Sequence, residues 1–138
     1  MQTGFIHLRT HSRTSIGAST LRIKQIPDLC AANNMFACAL TDTNIMSGCA
    51  EFSDVMPKKK IQPIIGVEIT LNHHTADPKI LRTSALSKLV LLAQNHQGYL
   101  NLCELSRIGR RLHHDGLRPC RLPPLSRGTA LHGLRTLW

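Results

Sequence analysis

Three polar residues near the N-terminus raise the question of a metal site: His7, Arg9 and His11, in "HLRTHS". Imidazole is a common metal ligand, whereas a guanidinium is always protonated and cannot ligate a cation. On a strand, alternate residues share a face, so all three point the same way. His7 and His11 then stand ~13 Å apart at ~3.3 Å per residue, too far for one ion. Local spacing leaves three readings: a metal site, the remains of one, or unrelated polar residues on a rim.

Other candidates lie further along. Asp42 and Thr43, in "LTDTN", follow an almost unbroken apolar run. A carboxylate there is a common catalytic placement, but aspartate is more often a turn or helix-cap residue. Glu68 lies inside the apolar stretch "IIGVEIT", a costly place for a carboxylate unless it is paired or metal-bound. The doublets His73–His74 and His113–His114 read as exposed, because neighbouring residues point in different directions. The lysine run 58–60 reads as a solvated turn. None of the five cysteines (Cys30, Cys38, Cys49, Cys103, Cys120) forms a C-x-x-C pair, so they read as reduced apolar fillers. There is no phosphate loop, no G-x-G-x-x-G and no H-E-x-x-H.

The elements that must position these residues alternate in type. "GFIHLR" reads as a strand. "TLRIKQIPDLCAANN" reads as a helix with Ser19 or Thr20 as cap, starting late near Ile26 or broken there, since Pro27 fits only a first turn. "MFACALT", "IQPIIGVEITL" and "SKLVLLAQN" read as strands apolar on both faces, the pattern of a parallel sheet. "MSGCAEFSDVM" and "QGYLNLCELSRI" read as helices, the latter with Leu100, Cys103 and Leu105 apolar, and "NHHTADPKILRTSA" reads as a polar loop. The expected class is α/β with parallel strands. Active-site groups then gather at the strands' C-terminal ends, which brings His11, Asp42, Thr43 and Glu68 to one rim.

Charge is uneven. Residues 1–106 hold ten basic and seven acidic residues, while 107–138 hold seven arginines, no lysine and one acid, Asp115. The overall +9 is therefore no evidence for a nucleic-acid-binding fold across the chain. From Arg107 the periodic pattern ends. That segment is expected to be an irregular tail, either disordered or the product of a shifted reading frame. No run approaches the ~20 apolar residues of a membrane helix. The opening "MQTGFIHLRTHSRT" has no signal-peptide core, so a cytoplasmic location without membrane partners is expected.

Taken together, "FIHLRTHS", "ALTDTNIMSGCAEFS", "IQPIIGVEITL" and "LVLLAQNHQGYLNLCELSR", in that order across residues 5–107, resemble the N-terminal PHP domain of the bacterial DNA polymerase III α subunit. "TLRIKQIPDLCA" resembles the alphaproteobacterial branch. The resemblance implies part of a distorted (β/α)7 barrel over residues 1–106, ahead of the atypical segment 107–138. In active members a trinuclear metal centre hydrolyses phosphoesters. Their first motif, H-x-H, falls here on Arg9 and His11, and their D-H motif falls on Asp42 and Thr43. An acidic residue usual near position 18 is Ala18. His11 and Glu68 stay at ligand positions, while Arg9 and Thr43 mark lost ones. The expectation is a degenerate site without catalytic residues or a bound metal. The chain would be a fragment, truncated or frameshifted, of a parent that performs template-directed DNA synthesis. That parent uses Mg²⁺ and works with DNA and other replicase subunits, including a proofreading subunit. The alternatives are a stand-alone PHP metallophosphoesterase and a small basic nucleic-acid-binding protein.

Overall fold

Among the described residues four strands form one sheet in sequential order, β1 (Ala37–Leu40), β2 (Gln62–Asn72), β3 (Leu86–Ala93) and β4 (Leu134–Leu137). Among the described residues three α-helices accompany them, α1 (Ile26–Ala32), α2 (Cys49–Val55) and α3 (His96–His114). The computed structural model describes residues 4–72, 86–114 and 133–137.

The α/β class holds, but the sheet is mixed. β1 and β2 pair in parallel, whereas β3 runs antiparallel to β2 and β4 antiparallel to β3. The expected all-parallel sheet is corrected here, for a physical reason. An apolar run reports burial on both faces and carries no sign of strand direction. "GFIHLR" is reduced to a single bridge, His7 with Cys38, although the segment runs alongside β1 through Ala39 N–H to His7 O and Thr41 N–H to Thr10 O, both 2.8 Å.

Helix α1 does start at Ile26, with Pro27 in its first turn after a 3₁₀ turn at Ile23–Gln25. Its cap position is Gln25 and no side chain caps it, which corrects the Ser19 or Thr20 assignment. Ser19 Oγ instead accepts from Leu21 N–H at 3.1 Å. Pro57–Lys59 forms the lysine-bearing turn and Lys60 closes it at φ 59°. The irregular C-terminal tail is also corrected in part: α3 continues past Arg107 to His114, and β4 pairs with β3. His73–His74 and Cys120 lie outside the described residues.

Alternation along β2 and β3 separates two cores. Val67, Ile69 and Leu91 pack against Leu102 and Leu105 of α3. Leu102 and Leu105 are therefore buried apolar positions of α3, while Leu100 and Cys103 are exposed. On the opposite face Ala39, Val90 and Leu92 pack with Leu8 and Ile64. A third cluster joins α1 and α2 to β1 through Ile26, Cys30, Cys38, Leu40 and the fully buried Phe52. Burying a side chain of that size contributes roughly 1.5–3 kcal/mol. Gly66 sits where β2 leaves no room for a side chain. A Cβ there would meet Leu92 Cδ2 at 2.6 Å, Leu91 O at 2.7 Å and Thr41 Cγ2 at 2.9 Å.

Candidate functional site

Glu68 anchors the site. Val67 and Ile69 face α3, so strand alternation turns Glu68 to the other side of the sheet, where it is fully buried. Its position relative to β1 is fixed by a backbone zipper. Glu68 N–H donates to Asp42 O at 3.1 Å, and Asn44 N–H donates to Glu68 O at 2.8 Å. Asn44 takes a left-handed conformation, φ 55°, which asparagine tolerates better than most residues. Its amide accepts from Thr70 N–H at 3.1 Å. This seats Thr43 directly beside Glu68, and Thr43 Oγ1 donates to Glu68 Oε1 at 3.1 Å.

Three basic side chains converge on the same carboxylate. Arg9 places Nε and one terminal nitrogen each 2.6 Å from Oε2. Lys88 Nζ lies 2.9 Å from Oε1. His11 Nε2 lies 3.4 Å from Oε2. Lys88 reaches Glu68 because it pairs with Thr70, one diagonal step from the Glu68–Val90 pair on the same face. Burial pushes the Glu68 carboxyl upward. The hydrogen bonds from Lys88 and Arg9, with the charges of His11 and Arg9, outweigh it and hold the carboxyl below its ordinary value. His11 Nδ1 is buried without a hydrogen-bond partner among the described residues.

Asp42 is buried but does not join this cluster. It accepts from Ser12 N–H (2.6 Å), Ser12 Oγ (2.7 Å), Thr14 Oγ1 (2.5 Å) and Ser15 Oγ (2.7 Å). Ser15 Oγ in turn accepts from Thr43 N–H at 2.9 Å. Asp42 thus folds the 12–15 turn against the end of β1, a structural use of a carboxylate placed like a catalytic one. His7 stands apart, its ring edge-on to Phe5 at 4.8 Å between centroids.

The structure therefore brings Arg9, His11, Thr43 and Glu68 together and leaves Asp42 next to them in a separate network. Lys88, Ser12, Thr14 and Ser15 were not legible as site residues. Lys88 lies in no motif, and short hydroxyl residues carry no periodic signal. Only the placement of Asp42 after a buried strand hinted that donors must converge there.

The donor set does not fit a divalent-ion centre. Both Glu68 oxygens already hold cations, and Arg9, which cannot deprotonate, sits against the shared oxygen. Among the described residues no group of three or more His, Cys, Asp or Glu side chains is placed to hold an ion.

A mixed α/β sheet whose rim gathers residues from the first three extended segments defines a class, and comparison agrees: the chain belongs to the PHP domain family, whose profile matches residues 7–120. Within it, the chain is similar to the N-terminal region of DNA polymerase III α subunits. It is 38% identical to that of Rickettsia bellii (strain RML369-C) over 108 residues, which is 78% of this chain and 8% of the relative. It is 39% identical to that of Caulobacter vibrioides (strain NA1000 / CB15N) over 105 residues, 76% of this chain and 9% of the relative. The chain thus spans less than a tenth of the length of these relatives. Among solved structures it is similar to an amidohydrolase from Chromobacterium violaceum with bound sulfate and no metal. The TM-score is 0.53 at 25% identity, over 83% of this chain and 40% of that one.

Proposed function

We propose that this chain is the N-terminal part of a PHP domain of a replicative DNA polymerase α subunit, acting as a structural platform in place of a hydrolase. The observation that carries this is Arg9 on Glu68 at 2.6 Å. A fixed guanidinium takes the position where hydrolytic relatives need a neutral ligand, and Thr43 takes another. The charge that a metal would bring is supplied by the chain itself. In this reading the strands are part of the distorted (β/α)7 barrel, and Ala39, Glu68, Val90 and Leu92 belong to its interior. Template-directed synthesis, Mg²⁺, DNA and the replicase partners belong to the parent polymerase in the cytoplasm.

The test is elemental analysis of the purified chain together with hydrolysis of a chromogenic phosphomonoester and a phosphodiester. The expected result is Zn, Mn and Fe well below one equivalent, and no turnover above buffer. Near-stoichiometric metal with hydrolysis that Glu68→Gln abolishes would restore the stand-alone phosphoesterase reading.

A further inference from the structure

The N-terminal segment and α1 flank a groove of about 470 Å³, a size typical of small-molecule sites. Its walls differ in character. Leu21, Ile26, Leu29 and Met35, from α1 and the segments next to it, make one side aliphatic. Leu29 is 50% exposed, an apolar surface left to solvent. His7, Arg9, Thr10 and His11, from the N-terminal segment, make the other side polar. Among the described residues no Phe, Tyr or Trp and no Asp or Glu lines the groove. Arg9 commits Nε and one terminal nitrogen to Glu68 Oε2, and its other terminal nitrogen takes no part in that pair. Lys88 meets the same carboxylate at 2.9 Å, so two cations face one buried acid and one positive charge is left over. Asp42 is enclosed by its own donors and does not line the groove.

We propose that this groove binds a free medium-chain aliphatic monocarboxylate, its head at the uncommitted nitrogen of Arg9 and its tail along Leu21, Ile26, Leu29 and Met35. Charge complementarity selects the sign of the head: the wall offers a guanidinium and no acid. A guanidinium edge matches a planar carboxylate. A singly charged head also meets less repulsion from Glu68, on the same guanidinium, than a phosphate dianion would. The tail is aliphatic because the lining holds no Phe, Tyr or Trp ring to stack on. Seating it removes the exposed surface of Leu29 from water together with the surface of the ligand.

The test is calorimetric titration of the full chain with octanoate, kept below the concentration at which it forms micelles. One equivalent should bind saturably, in the sub-millimolar range. Octanol, with the same tail and no charge, should bind at least about tenfold more weakly. Butyrate should also fall by about tenfold or more, since each buried methylene changes affinity about fourfold. Leu29→Glu, at a half-exposed position, sets an acid beside the groove and should abolish binding. Leu100→Glu, at an exposed apolar position of α3 outside the groove, should leave it unchanged. Octanol binding as tightly as octanoate, retention in Leu29→Glu, or loss in Leu100→Glu would each overturn the proposal. So would failure of the wild-type chain to bind octanoate. Methyl NMR of the wild-type chain needs no variant to fold. Octanoate should shift the Leu29 and Met35 methyls, and shifts confined to Val67 and Leu91 beneath α3 would overturn the assignment.

Discussion

Replacing Arg9 by leucine removes the two closest contacts to Glu68 Oε2 while Lys88 and Thr43 keep Oε1 occupied. Hydrogen bonds to charged groups contribute about 1.5–3 kcal/mol each. Arg9 is 55% exposed, so solvent screening reduces its share. The expected net loss is about 2 kcal/mol at neutral pH, read as a fall in the urea midpoint with an unchanged slope. Glu68→Gln should cost a similar amount by leaving Arg9 and Lys88 without a counter-charge. The double variant should lose less than the sum, with a coupling of about 1 kcal/mol or more. The pH dependence gives a second check. Glu68 has a lowered folded pKa, so the stability it contributes is full above its ordinary value of 4.5 and is lost as pH falls through the lower folded value. In Arg9→Leu that gain is smaller, so the deficit against wild type should shrink as pH falls through the lowered folded value and the carboxyl becomes protonated in both chains. A coupling below about 0.3 kcal/mol, or a deficit that stays constant down to acid pH, would refute the claim that Arg9 acts through the Glu68 carboxylate.

Further expectations follow from the same structure. Asp42→Ala strips the acceptor from four donors and should cost about 3 kcal/mol, with faster amide exchange across residues 12–15. Unchanged exchange there would mean that Asp42 does not hold the turn. Gly66→Ala forces a methyl group within 3 Å of Leu92, Leu91 and Thr41 and should destabilise by about 1–3 kcal/mol, measured by thermal unfolding. Among the described cysteines Cys103 is exposed, whereas burial pushes the Cys49 thiol up to about 12. Under native conditions and without added metal, mass spectrometry after brief alkylation at pH 8 should show Cys103 modified and Cys30, Cys38 and Cys49 protected.

The sequence made the strands and helices legible wherever burial is strong. β1 is buried at all four positions, and Pro27 marked the late start of α1 because proline tolerates only a first turn. Strand direction was hidden, since residues 86–93 would show the same apolar pattern whichever way β3 ran. The buried face of α3 was hidden for a related reason: Leu100, Leu102 and Leu105 are equally apolar, and only packing against Val67 and Ile69 selects Leu102 and Leu105. At the site, Glu68 was flagged because a carboxylate in an apolar strand needs a partner. The identity of that partner depended on cross-strand register and on segments far apart in the chain, as with Lys88, which a linear reading does not supply.

The position of Arg9 changes how the site depends on its surroundings. A bound ion has an occupancy: it must be delivered, it equilibrates with the cell's supply, and a chelator can strip it. A guanidinium tethered through its own backbone is present in every copy from synthesis onward. The Glu68 carboxylate therefore meets a counter-charge that the chain itself carries, and that counter-charge does not depend on metal supply.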